Sequence, residues 1–170
     1  MRVVGVVVAT ALAIALQSTL AQFVIRGTVA VDLVLVVVVY AALVAGPVTG
    51  LLGGAFAGIV QDALSTGVIG IGGLAKTVVG FLAGIIGTQF IVAHSLPRFV
   101  VFFGATIVHA VISIGLYEIL NLADFGTPYA AVAGQATANA VIGVVAFNLA
   151  DLLPGAVERR RVTGRTGLRR

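Results

Sequence analysis

The 170-residue chain reads as an all-α integral membrane protein, a bundle of six transmembrane helices. Three observations carry that reading. Hydrophobic residues make up 60% of the chain and charged residues 9%, against about 45–50% and about 25% in soluble domains, and mean hydropathy is +1.19. Apolar runs able to cross a hydrocarbon core of about 30 Å recur between short connectors rich in glycine, proline and charge. Finally, Gly46, Gly50, Gly54, Gly58 and Asp62 repeat every four residues, which stacks them on one helix face. Such a ridge is poor in water, where each interior glycine costs about 1 kcal/mol relative to alanine. In a bilayer it is useful, because small residues let helices approach closely.

Residues 1–155 are expected to form the six-helix transmembrane domain and residues 156–170 a basic cytoplasmic tail without fixed structure. The chain has no cysteine, so disulfides and thiolate metal sites are excluded. Its net charge of +4 is concentrated in the tail and bears on topology and lipid headgroups rather than nucleic acid.

Taken in order, residues 3–23 are long enough for an uncleaved first helix; a signal peptide would carry a shorter apolar core of about 7–15 residues. Gln17 lies late in it, and Ala9 with Ala13, and Ala11 with Ala15, form small-residue pairs. After a connector containing Arg26, Asp32 opens helix two, where a carboxylate suits the unpaired amides of a helix start. Helix two runs to Ala45 and is only just long enough for a span. Gly46 and Pro47 mark a tight hairpin into helix three, residues 47–63. Residues 64–73 hold four glycines and read as a loop, and helix four covers 74–92 with a second small face, Lys76, Gly80, Gly84 and Thr88. Helices three and four are then antiparallel neighbours, and Asp62 and Lys76 at one end of the hairpin are placed either to pair or each to reach the interface by snorkelling. Residues 94–98 form a connector into helix five, 99–122, on which His109, Ser113 and Tyr117 share a face. Helix six, 129–153, carries Gln135, Asn139, Gly143, Phe147 and Asp151 at the same spacing.

No catalytic, metal or cofactor constellation emerges. A serine and a histidine one turn apart make no activated nucleophile without a convergent base and acid, and neither Gly-x-Ser-x-Gly nor His-Glu-x-x-His occurs. Gln17, His109, Gln135 and Asn139 are therefore expected to hydrogen-bond between helices, at roughly 0.6 kcal/mol each. Gly50, Gly54, Gly58, Asp62, Lys76, Gly80 and Gly84 are expected to serve helix packing or a partner's transmembrane span. Arg2, Arg98 and six tail arginines on one side, against Arg26 and Lys76 on the other, place both termini in the cytoplasm.

The ordered set Gly50-x3-Gly54-x3-Gly58-x3-Asp62-x2-Ser65-x-Gly67-x2-Gly70, preceded by Gln17-Ser18-Thr19 and Asp32-Leu33, resembles the bacterial rod shape-determining MreD family. Two departures are Val31, where that family often has proline, and Lys76, which has no counterpart in its pattern. The resemblance implies a non-enzymatic scaffold of the cell-elongation machinery in the bacterial cytoplasmic (inner) membrane. Its implied partners are the single-span periplasmic coiled-coil protein MreC and, through it, a glycan polymerase, a penicillin-binding transpeptidase and MreB filaments. It also implies a fold similar to the substrate-binding subunits of energy-coupling-factor transporters. A vitamin or small-solute binding subunit is accordingly the second reading. Anionic lipid at the arginine tail is a further expected partner.

Overall fold

The computed structural model describes residues 2–23, 31–65, 68–89, 94–122 and 129–152, and all statements of structure below concern these. They form six helices: α1 (Arg2–Phe23), α2 (Leu33–Ala45), α3 (Pro47–Leu64), α4 (Ile71–Gln89), α5 (Ser95–Ile119) and α6 (Tyr129–Leu152). The expected tail, the connectors around Arg26 and Asp124, and residues 66–67 and 90–93 lie outside the described residues.

α2 is the axis of the bundle. Its sequence, LVLVVVVYAALVA, has no polar face at all, so a helix formed from it must be covered on every side. Val34, Leu35, Val38 and Val39 are at most 1% exposed, enclosed by α1, α3, α4, α5 and α6. Four consecutive valines carry a helix penalty of a few tenths of a kcal/mol each; burial of Val36, Val38 and Val39 outweighs it. α4 and α6 run alongside α2 in the same direction, and α3 and α5 run against it, as the contacts of Val38 with Gly80 and of Tyr40 with Phe147 show.

Helix two, expected to be only just long enough for a span, is shorter than that. Among the described residues α3, α4, α5 and α6 are long and apolar enough to cross a membrane. With 13 residues, α2 reaches only about 20 Å at about 1.5 Å per residue, well short of the hydrocarbon core. Its C-terminal end is fixed at the Gly46 hairpin, where Gly46 has φ +91° and Pro47 occupies the first turn of α3. The helix therefore starts inside the bundle rather than at its far end.

Two other boundaries shift for local reasons. α4 begins at Ile71 instead of residue 74, because the Asp62 carboxylate accepts hydrogen bonds from the amides of Gly70 (2.9 Å) and Gly73 (3.1 Å) and so caps the helix in place of loop solvent. α5 begins at Ser95 instead of residue 99, since Pro97 in its first turn lacks only an amide hydrogen that would have had no partner there.

Candidate functional site

The glycine ridge of α3 lies against the small face of α4. A β-carbon placed on Gly50 would fall on the carbonyl oxygen of Gly80, one on Gly54 on the carbonyl oxygen of Lys76, and one on Gly58 within 2.5 Å of the Gly73 α-carbon. Gly84 meets Pro47 in the same way. The two backbones touch over about three turns, from Pro47 to Gly58 against Gly84 to Gly73, so both strips are consumed by each other. Of the two roles expected for these glycines, helix packing is the one seen here, and the side chains turned outward on α3 and α4 include Leu52, Phe56, Leu74, Val78 and Phe81.

Close backbone approach also decides where Lys76 can go. Its backbone is opposite Gly54, eight residues or about 12 Å before Asp62 along α3. The Asp62–Lys76 pair therefore does not form; Asp62 is taken up by the α4 amides. Lys76 instead extends into the bundle and pairs with Asp32, Nζ to Oδ2 2.8 Å. The two residues are 2% and 5% exposed.

Around this ion pair polar groups from α2, α4, α5 and α6 converge, two of them, Thr106 and His109, from α5. Asp32 Oδ1 accepts from the Leu35 amide (2.9 Å), the cap that starts α2. The Asp32 amide donates to Asn139 Oδ1 on α6 (3.0 Å), and Asn139 Nδ2 donates to Thr106 Oγ1 on α5 (3.2 Å). Thr106 in turn donates to the Phe102 carbonyl (3.0 Å). Lys76 Nζ lies 3.1 Å from His109 Nε2, also on α5. Asp32 is 13 residues from Ala45, Lys76 13 from Gln89, Asn139 13 from Leu152 and His109 14 from Ser95. All four lie about 20 Å from the same end of the bundle, near the middle of α5 and α6. Ionisable groups at such depth are costly and mark function when they occur.

A second polar contact closes that same end. Arg98 donates from Nη1 to Asn148 Oδ1 (2.6 Å) and from Nη2 to Asp151 Oδ2 (2.7 Å), and its guanidinium stands 4.1 Å from the Phe147 ring centroid. Sequence reasoning placed Arg98 in a connector and Asp151 on a polar helix face without joining them. Opposite charges at the adjoining ends of consecutive antiparallel helices were the available signal. The α6 face that could have lined a ligand cavity is turned inward: Gly143 meets Phe102, and Asn139, Ala140 and Phe147 are buried. Gln135 is half-buried one turn from Asn139, and the Gln17 Oε1 is buried without a protein hydrogen-bond partner.

The family model described as rod shape-determining protein MreD matches residues 1–150. The chain belongs to the MreD family. With the family and the four apolar helices together, it is a multi-pass membrane protein with a role in determining rod shape. No curated protein and no solved structure gives a significant match. The MreD match takes in both halves of the ion pair, His109, Asn139 and the whole of the α3–α4 contact, and ends one residue before Asp151. The arginine tail lies beyond it.

Proposed function

We propose that this chain is a non-enzymatic membrane scaffold of the cell-elongation complex. It binds MreC and thereby supports the glycan polymerase and penicillin-binding transpeptidase that build the lateral wall beneath MreB filaments. The observation that carries this reading is the family match over residues 1–150. It is supported by the way the core is used: Asp32, Lys76, His109 and Asn139 are spent on one another, and the glycine strips on helix packing. What such a bundle offers is its outer surface.

With the α3 and α4 strips closed, the small-residue face open to a partner's span is on α1. Ala11 and Ala15 are exposed there beside Val8, Leu12 and Leu16, and small residues permit the close approach from which membrane helices gain packing energy. Co-expressed MreC should copurify with the chain. The double replacement Ala11→Phe and Ala15→Phe should lower its recovery at least about tenfold, the effect of 1.4 kcal/mol, with the melting temperature of the bundle unchanged. Failure of MreC to copurify with the unaltered chain, or recovery of a pair of ATPases and a bound vitamin, would overturn the scaffold reading in favour of a transporter subunit.

The orientation belongs to the same proposal. Lys76 and Arg98 are buried in ion pairs and so drop out of the loop charges that set topology. That leaves Arg2 and six tail arginines against Arg26, an asymmetry that supports termini on the cytoplasmic side of the inner membrane and a tail among anionic headgroups. Because the chain has no native cysteine, His94→Cys tests this alone. Its thiol should resist a membrane-impermeant reagent in intact spheroplasts and react once the membrane is opened; labelling in intact spheroplasts refutes the orientation.

A further inference from the structure

The polar cluster sits on a seam. On one side α2, α3 and α4 interlock through backbone contacts at Gly50, Gly54, Gly58, Gly84 and Gly87. On the other, α5 and α6 are joined along their length by Arg98 to Asp151, Phe102 to Gly143 and Thr106 to Asn139. Between these two blocks apolar side chains pack, and the polar contacts that cross include the Asp32 amide to Asn139, Lys76 to His109, and the Val68 amide to the Tyr117 hydroxyl at 3.3 Å. Towards the Arg98 end, α4 and α5 separate and leave an apolar cleft of about 250 Å³, walled by Leu82 and Ile86 on α4 and by Val100 and Gly104 on α5.

The chemistry of the Lys76–His109 contact makes it conditional. An ammonium has three donors and no acceptor, and an imidazolium donates from both nitrogens. At 3.1 Å from Lys76 Nζ, His109 Nε2 can bond only as an acceptor, with the ring neutral and its proton on Nδ1. We propose that this contact is a proton-operated latch: a proton taken up from water at His109 Nε2 abolishes the acceptor, and the α5–α6 pair then moves away from α4 and widens the cleft.

The surroundings do not cancel the added charge. From α2, Asp32 faces the site, but its single negative charge is already paired with Lys76. Asp62 on α3 is held by the Gly70 and Gly73 amides. α6 presents only the neutral Asn139 and Gln135, and α1 and α3 make no contact with α5. On α5 itself the nearest ionisable groups are Tyr117, which accepts from Val68, and the exposed Glu118, about two turns away. Two cations 3.1 Å apart would share one carboxylate.

The test uses the full chain in nanodiscs with spin labels at Ile86→Cys and Val100→Cys, across the cleft. The interlabel distance should lengthen between pH 8 and pH 3.5 by at least about 1–2 Å, the scale of helix shifts at packed interfaces. His109→Gln, which keeps an acceptor but does not titrate, should hold the pH 8 distance at both values. An unchanged distance in the parent, or equal widening in His109→Gln, overturns the latch. Because the chain has only two histidines, nitrogen-15 histidine NMR gives an independent reading that needs no variant. His109 should show a bare Nε2 at pH 8 and gain its proton over the same range as the distance change; a protonated Nε2 at pH 8 also overturns it.

Discussion

Gly54→Leu should abolish the folded bundle, and Gly54→Ala alone should damage it severely. Insertion of a methylene into a packed core costs about 1–3 kcal/mol when side chains can give way. Here they cannot, because the first atom beyond Gly54 would meet the Lys76 carbonyl oxygen, part of a helix backbone, and its neighbours Gly50 and Gly58 hold the two helices at the same separation above and below. The whole of α3 would have to lift from α4, and with it the backbone contact that aims Lys76 at Asp32. The expected loss exceeds about 3 kcal/mol, read as a collapse of the monodisperse peak and melting transition of the protein in detergent. Gly115→Ala is the matched control, because nothing lies within 4 Å of the added carbon. It should be neutral or gain up to about 1 kcal/mol from better helix propensity. Equal behaviour of Gly54→Ala and Gly115→Ala would show that the ridge is not the contact that holds α3 to α4.

That ridge was legible in the sequence because a strict four-residue repeat of glycine ending in an acid has one economical reading, a helix face in close contact. The cap at Asp32 was legible for a similar reason: it depends on the residue and the three that follow. What was hidden is depth. Sequence gives the ends of helices, and Asp62 and Lys76 share an end, so pairing was open to them. The actual partner of Lys76 follows from the shortness of α2, whose 13 residues counted back from the Gly46 hairpin leave Asp32 about 20 Å inside. The same count on α4, α5 and α6 brings Lys76, His109 and Asn139 to that level. The periodic polar face of α6 was also visible, yet its direction was not, because periodicity specifies which residues share a face and says nothing of what the face meets. Phe102 against Gly143 decides it.

Lys76→Met should be the most damaging single change outside the glycine ridge, and Asp32→Asn should rescue part of it. Removing one partner of a buried ion pair leaves the other charge uncompensated and costs about 3–5 kcal/mol, whereas neutralising both can be close to neutral. Methionine is apolar, unbranched and of similar length, so the loss reports charge rather than a cavity. In Lys76→Met the Asp32 carboxylate stays in a site 5% exposed, facing an amide through one oxygen only. Asparagine at position 32 still accepts from Leu35 and keeps the start of α2, so the double variant should melt well above Lys76→Met. The exchange of the two residues, Asp32→Lys with Lys76→Asp, should not recover stability although it restores opposite charges, because lysine offers no acceptor to the amides that open α2. That asymmetry separates a pair that also caps a helix from one that is merely electrostatic. Melting temperatures of the four proteins in one detergent give the cycle. If the double variant is no more stable than Lys76→Met, the ion pair is not what holds the start of α2 in the middle of the bundle.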